Sequence, residues 1–339
     1  MKGFILAAGY GTRLRPLTYT LPKPLVPLCN RPLIGWAIES YLAAGVDHLI
    51  VNLHHLPEQL ERAVHQQYAS RAYISFSFEE EILGTGGALR RVHAQLEHER
   101  DFFLVNGDTV QFPRLAELAQ ARRQRDALAA LTLRHPPEGD RFTPVWHDRG
   151  QLTGFGEGHG ESLMFAGSHC ISTRVLRFLP DREFSGIVGD VYEPVLREGT
   201  DTLAAIVDDG LWFDIGTPQR YLTASRTFLE ATVGGAIAAA EGSRVQGDSL
   251  LHETAITTTS VTRSTVGARS SVQGIAHDCV IWEDCVIGAG ARLQSCIIGH
   301  GVTIPDSYDL SNALVCLADP AIPHDPAYEH RDGLVIVRV

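Results

Sequence analysis

Residues 3–27 read Gly-Phe-Ile-Leu-Ala-Ala-Gly-Tyr-Gly-Thr-Arg-Leu-Arg-Pro-Leu-Thr-Tyr-Thr-Leu-Pro-Lys-Pro-Leu-Val-Pro. The run Gly3–Ala8 is apolar and of strand length, and a glycine-rich turn follows it at once. Glycine at 9 and 11 lets the backbone approach a phosphate closely and aim N–H groups at it. A nicotinamide-binding loop needs a third glycine near position 14 and an immediate helix, and this chain has Leu14 there. Pro16 and Pro22 instead keep the segment extended, so that Arg13 and Lys23 can converge on the β- and γ-phosphates of a nucleotide from one long loop. Lys23 and Lys2 are the only lysines among 29 basic residues. A lysine kept between prolines in an arginine-rich chain points to a need for its compact ammonium.

Outward from this loop, apolar runs alternate with amphipathic stretches. Strands are expected at 48–53, 73–78, 102–106 and 128–133, and helices at 33–44, 57–68, 86–96 and 113–123. That alternation predicts an α/β fold with a doubly wound, mostly parallel sheet. Residues 142–213 are more β-rich and irregular, as suits a substrate lid on the same domain, and a helical pattern over 218–240 closes it. Beyond about 244 helical periodicity gives way to valine, isoleucine, glycine, serine and threonine. Ile275, Ile281, Ile287 and Leu293 stand six apart, and after one five-residue step Ile298, Ile304 and Leu310 continue the row. A six-residue aliphatic repeat predicts a short left-handed parallel β-helix of about four coils, with Leu334–Val339 as a terminal strand. The expected domains are 1–240 and 241–339.

Composition narrows the function. Forty acidic residues against 29 basic ones give a net charge of −11 with no basic block, which disfavours nucleic acid and anionic membrane surfaces. No apolar run has the length of a membrane span, and Phe4–Ala8 is too short for a secretory signal. The six dispersed cysteines lack metal-ligand spacing and read as free thiols of a cytoplasmic protein. A phosphate site must then be local, built from a few cations, backbone N–H groups or a metal. Asp108 follows an apolar strand, at the carboxyl end where open α/β sheets bind ligands, and Asp214 follows another short apolar run. Two carboxylates brought together repel unless they share a cation, and Mg2+ is typically held by one or two carboxylates plus phosphate oxygens.

The strings Gly9–Thr18 and Pro22–Pro27 resemble the sugar-1-phosphate nucleotidyltransferases. The resemblance continues at Glu81–Leu89, Val105–Asp108, Phe165–Gly167 and Trp212–Pro218, and one branch of that family carries a C-terminal β-helix. The likeness is closest to the mannose-1-phosphate guanylyltransferases. It implies transfer of a nucleoside monophosphate from a triphosphate to a sugar-1-phosphate, with release of pyrophosphate. It implies a nucleotide site at Ala8, Gly9, Gly11, Thr12, Arg13, Lys23, Glu81, Gly84, Thr85 and Gly86, and sugar contacts at Asn106, Glu157 and Gly167. It gives Arg13, Lys23, Asp108 and Asp214 the catalytic roles, with Mg2+ on the two aspartates. Guanine is the favoured base and mannose the favoured sugar. Uridine or thymidine triphosphate with glucose 1-phosphate or N-acetylmuramate 1-phosphate is the alternative, and a regulatory nucleotide-sugar-binding partner the non-enzymatic one.

The chain departs from the family at one place. Many relatives have Glu-Lys-Pro before the Phe-x-Gly segment, the lysine gripping the sugar phosphate, whereas residues 157–159 here are Glu157, Gly158 and His159. His159, Arg141 or another arginine is left to take that charge. His54 and His55 are adjacent and read as structural. His300, in a β-helix turn, motivates a bifunctional acyltransferase alternative. A homo-oligomer is expected, from the exposed ladders of the β-helix.

Overall fold

A computed structural model describes all residues, Met1–Val339. The chain packs as two compact units, one of Met1–Tyr10 with Ile34–Trp212 and the other of Gly11–Leu33 with Phe213–Val339. No helix is long and apolar enough to cross a membrane.

The first unit is built on a nine-stranded sheet. Its strand order is Tyr73–Phe78, His48–Leu53, Lys2–Leu6, Asp101–Asn106, Glu161–Ser172, Ala129–Arg134, Leu203–Val207, Gln151–Phe155, Val145–Asp148. The first four strands run parallel, as the strand–helix alternation predicts. The long strand Glu161–Ser172 then enters antiparallel to both neighbours, Leu203–Val207 runs parallel to Ala129–Arg134, and Gln151–Phe155 and Val145–Asp148 pair antiparallel at the far edge. The irregular β signal over 142–213 is thus the mostly antiparallel half of a mixed sheet, with Leu203–Val207 as its parallel member. Phe4, Ile50, Phe102, Leu104 and Leu131 form the buried centre.

His169, 2% exposed on the long strand, hydrogen-bonds the Tyr192 hydroxyl at 2.9 Å. Burial pushes its pKa down to about 3. The folded pKa thus lies below the unfolded value of about 6.5, so as the pH falls from 6.5 toward 3 the unfolded chain binds a proton that the native state refuses. This one group therefore removes about 1.4 kcal/mol of stability per pH unit across that window. His169→Asn is expected to flatten the acid limb of urea-unfolding stability between pH 6 and pH 4 by about one proton. An unchanged slope would contradict the assignment.

In the second unit three parallel faces stack into the β-helix. One face carries Ser249–His252, Thr265–Val266, Val280–Ile281, Ile297–Ile298 and Ala313–Leu317, and the other two carry four strands each. Leu250, Thr265, Val280, Ile297 and Leu314 are successive partners, so the coils take 15, 15, 17 and 17 residues instead of a uniform eighteen. The shortening corrects one expected core residue: Ile275 is 45% exposed, and Ala276 beside it points inward at 0%. Tight corners cause it. Arg263, Asp278, Ser295 and Asn312 all turn one corner at positive φ, and Arg269 and Asp284 turn another. Corner residues one coil apart pair, Arg263 Nε with Asp278 Oδ1 at 2.9 Å and Arg269 Nε with Asp284 Oδ1 at 2.6 Å. Inside, Ser264 Oγ accepts from Cys279 N and Ser270 Oγ from Cys285 N. All six cysteines are buried free thiols. Leu334–Arg338 pairs antiparallel with Ala313–Leu317 and covers the last parallel edge.

Two further parts of the chain are built onto the β-helix. The helix expected over 218–240 spans Pro218–Val233 and stops at Gly234, with Gly235 at positive φ. Trp282 Nε1 donates to the Tyr221 hydroxyl at 3.0 Å, and that hydroxyl donates to Pro27 O. Asn30 Nδ2 donates to Val266 O at 3.1 Å. A Cβ at Gly299 would touch Leu17 Cδ2 at 3.2 Å. The loop 11–33 and the helix at 218–233 therefore pack with residues 241–339, although the sequence signal changes near 240.

Candidate active site

In the second unit, Gly11 turns the chain at φ 63°, and a Cβ there would stand 2.8 Å from Lys23 Cβ. Glycine is therefore required for the lysine stem to pack beneath the turn. Thr18 Oγ1 holds the turn by donating to Gly11 O at 2.8 Å. Lys23 is 5% exposed, and its Nζ lies 3.9 Å from Asp214 Oδ1. Arg13 is 61% exposed at the side chain, with Nη2 3.6 Å from Asp214 Oδ2. Its guanidinium lies across Gly216, where a Cβ would meet Arg13 Nη1 at 2.7 Å. Arg13, Lys23 and Asp214, assigned from separate motifs, are thus one cluster. Sequence reasoning missed its fourth member. Arg220 Nη1 lies 3.1 Å from Asp214 Oδ2, and no motif marks that position.

The first unit supplies the other assigned residues. Gly107 N donates to Leu6 O at 2.8 Å, and a Cβ at Gly107 would stand 2.9 Å from both Ile5 Cγ2 and Leu6 O. That close approach brings Asn106 and the half-buried Asp108 to the carboxyl end of the first strand. Gly167, at φ 90° where the long strand shifts register, leaves room for the Asn106 amide, which a Cβ would meet at 2.8 Å. Asn106 and Gly167, assigned together to the sugar, are therefore in contact. Beside them Ala7 N donates to Asn52 Oδ1 at 2.6 Å, and Asn52 Nδ2 donates to Glu79 Oε1 at 2.7 Å. Glu79 Oε2 accepts from Leu83 N at 3.0 Å. This relay through buried Asn52 and Glu79 ties the end of the first strand to the 79–83 loop. Sequence reasoning passed over it because three glutamates stand in a row and only burial tells them apart. Glu79 is 1% exposed while Glu80 and Glu81 are exposed.

The glycine turn after Glu81 is braced from behind. Gly86 N donates to Ser185 O at 2.8 Å, Ser185 N donates to Leu83 O at 3.0 Å, and a Cβ at Gly87 would stand 2.1 Å from Glu183 O. Gly86 is buried with its amide engaged, so Glu81, Gly84 and Thr85 are the more exposed members of the assigned set. Glu157 lies on an exposed turn clamped by Trp146 and Thr153. Trp146 Nε1 donates to Gly156 O, and Thr153 Oγ1 bonds both the N–H and the carbonyl of His159. The rings of His54 and His55 pack on Tyr10, His54 edge-on at 4.8 Å and His55 tilted at 5.9 Å. His300 is paired with Glu283 and Asp284, which are themselves bridged to Arg269.

Residues 2–231 match the family model described as "Nucleotidyl transferase", and residues 236–312 match "GlmU-like, C-terminal hexapeptide". The chain is 30% identical over 343 residues to the mannose-1-phosphate guanylyltransferase catalytic subunit beta of Danio rerio, covering 97% of this chain and 94% of that one. It is 28% identical over 324 residues to mannose-1-phosphate guanylyltransferase 1 of Arabidopsis thaliana, covering 93% and 86%. The crystal structure of HddC from Yersinia pseudotuberculosis shares the fold over 67% of this chain and 99% of its own, with a TM-score of 0.56 at 23% identity.

Proposed function

The chain belongs to the nucleotidyl transferase family and is a sugar-1-phosphate nucleotidyltransferase, and from that premise we propose that it converts GTP and mannose 1-phosphate to GDP-mannose and pyrophosphate. The likeness over nearly the whole chain to relatives named for that reaction supports the base and the sugar. The observation that carries the chemistry is the gathering of Arg13 and Lys23 on Asp214.

The acceptor is a phosphate ester with a second pKa near 6, so its oxygen is largely ionised at neutral pH without a side-chain base. The protein's task is alignment and charge neutralisation. Lys23, buried, is a point charge for triphosphate oxygens, and the exposed Arg13 guanidinium is a fork for the leaving pyrophosphate. Gly9, Gly11 and Thr12 offer backbone to the phosphates, and Glu81, Gly84 and Thr85 face the base and ribose. Asn106, Glu157 and Gly167 orient the sugar.

Family members generally use a divalent metal. Asp108 and Asp214 would hold Mg2+ here, and a donor set of carboxylate oxygens suits that hard cation. Bound, it supplies Lewis-acid stabilisation of phosphate charge. Self-association, to be checked by light scattering, and a cytoplasmic location belong to the same proposal.

Coupled pyrophosphate release over a grid of GTP, UTP, dTTP and ATP against mannose, glucose and N-acetylmuramate 1-phosphates tests the reading. GTP with mannose 1-phosphate is expected to lead, with no release when Mg2+ is withheld. A lead by UTP or dTTP would move the assignment to the other base. Silence across the grid would favour a regulatory nucleotide-sugar-binding partner.

A further inference from the structure

The acceptor in the proposed reaction carries close to two negative charges, and its oxygens need fixed donors if one of them is to be aimed at phosphorus. The motifs assign Arg13 and Lys23 to the triphosphate and leave the acceptor phosphate without a cation. Position 158 does not supply one. A Cβ at Gly158 would stand 2.4 Å from Trp146 Cβ and 2.6 Å from Trp146 Cγ. The indole is itself held, its Nε1 donating to Gly156 O at 3.1 Å. No side chain fits at 158 unless that residue moves, so glycine there is a packing requirement and not only a missing charge. His159 is tied through its backbone to Thr153 Oγ1, at 2.7 Å from its carbonyl and 3.2 Å from its N–H. A cation on another element can supply that charge.

Arg220 has the chemistry for it. It lies in the first turn of the helix Pro218–Val233, where its backbone N–H is capped by Thr217 Oγ1 at 3.3 Å. Its Nη1 lies 3.1 Å from Asp214 Oδ2. Asp214 thus draws three cations from two elements, Arg13 and Lys23 from the loop at 11–33 and Arg220 from the helix. Lys23 is sealed in at 6% side-chain exposure, whereas Arg220 is 34% exposed and so remains within reach of a ligand. A guanidinium presents a planar fork of donors that matches two oxygens of a phosphate at once, and the carboxylate it holds here offers the same two-oxygen face.

We infer that Arg220 grips the phosphate of the sugar-1-phosphate acceptor. The inference rests on the nucleotidyltransferase reading above and adds to it a specificity-determining residue outside the family motifs. Arg220 acts on the acceptor and not on the triphosphate, so its loss separates the two Michaelis constants.

The test is steady-state kinetics of Arg220→Gln and Arg220→Lys. The acceptor is whichever of mannose, glucose and N-acetylmuramate 1-phosphate the wild-type enzyme turns over best. Arg220→Gln is expected to raise the acceptor KM about 10–100-fold, as loss of a charge-assisted hydrogen bond does, with the triphosphate KM and the thermal midpoint near wild type. Arg220→Lys is expected to fall between the two. An unchanged acceptor KM in Arg220→Gln overturns the inference, and so does an equal rise in both constants, which would make Arg220 a strut for Asp214. If wild type turns over none of the acceptors with any triphosphate, the nucleotidyltransferase reading falls. If wild type is active and Arg220→Gln keeps its acceptor KM, only the role of Arg220 falls.

Discussion

Lys23→Met is expected to lower kcat/KM for the triphosphate by about 10²–10³-fold, the usual consequence of deleting one preorganised donor from a charge-stabilising site. Methionine keeps the apolar stem that packs beneath Gly11, so thermal unfolding should stay near wild type. Asp214 retains Arg13 and Arg220 as partners in the variant. Lys23→Arg should not rescue. The side chain is 6% exposed, and a guanidinium is larger than the ammonium that this space accommodates. Initial rates at saturating acceptor check both variants. Full turnover by Lys23→Met would remove the lysine from the triphosphate.

A chain ending at residue 240 is expected to lose activity by about 10²-fold or more, the scale of loss that follows a misplacement of about 1 Å. A catalytic domain bounded by its sequence signal would predict no such loss. The packing argues otherwise, because Pro27 and Tyr221 are joined through a hydroxyl that Trp282 holds from the β-helix. Pro27 closes the loop that carries Lys23, and Tyr221 follows Arg220 directly. Asn30 and Leu17, from the same loop, also lean on β-helix residues, at Val266 and Gly299. Trp282→Phe is the milder version, since it keeps an aromatic ring in place while removing the N–H donor to Tyr221 and part of the buried indole. It should lower kcat by about tenfold without lowering the thermal midpoint comparably, a loss near 1.4 kcal/mol of transition-state stabilisation. A fully active 1–240 fragment would show that the β-helix has no part in holding the site.

The amino-acid sequence carried the fold through two signals of different strength. The run Gly3–Ala8 with its glycine turn, and the strand–helix alternation behind it, located the parallel strands because buried parallel strands read as unbroken apolar runs. The antiparallel half was legible only as irregularity, since Glu161–Ser172 bends at Gly167 and breaks any simple alternation. In the β-helix the aliphatic row was readable, but its phase was not. Ile275 and Ala276 are neighbours, and only a corner at positive φ decides which one points inward. The helix after Pro218 ran too long on paper because Ala236–Ala240 is apolar, whereas Gly234 and Gly235 release the chain.

The candidate site divides in the same way. Arg13, Lys23 and Asp214 stand in long motifs, and their gathering follows from them. Arg220 could not be found, because an arginine two residues after a proline in a helix start has an ordinary surface role in most proteins. Gly158 was visible as a departure but not as a necessity, since Trp146 lies twelve positions earlier and only the folded hairpin brings it there. Glu79 and Asn52 had no motif at all, and their importance is a matter of burial and of two short hydrogen bonds.

The account stands or falls on Asp108 and Asp214 serving one Mg2+. The direct measurement is the Mg2+ concentration that half-saturates pyrophosphate release, compared among wild type, Asp108→Asn, Asp214→Asn and the double variant. Each single change is expected to raise it at least about tenfold, and the double variant to fall well short of the product of the two, as residues sharing one ion do. Wild-type Mg2+ dependence in either single variant would contradict the account.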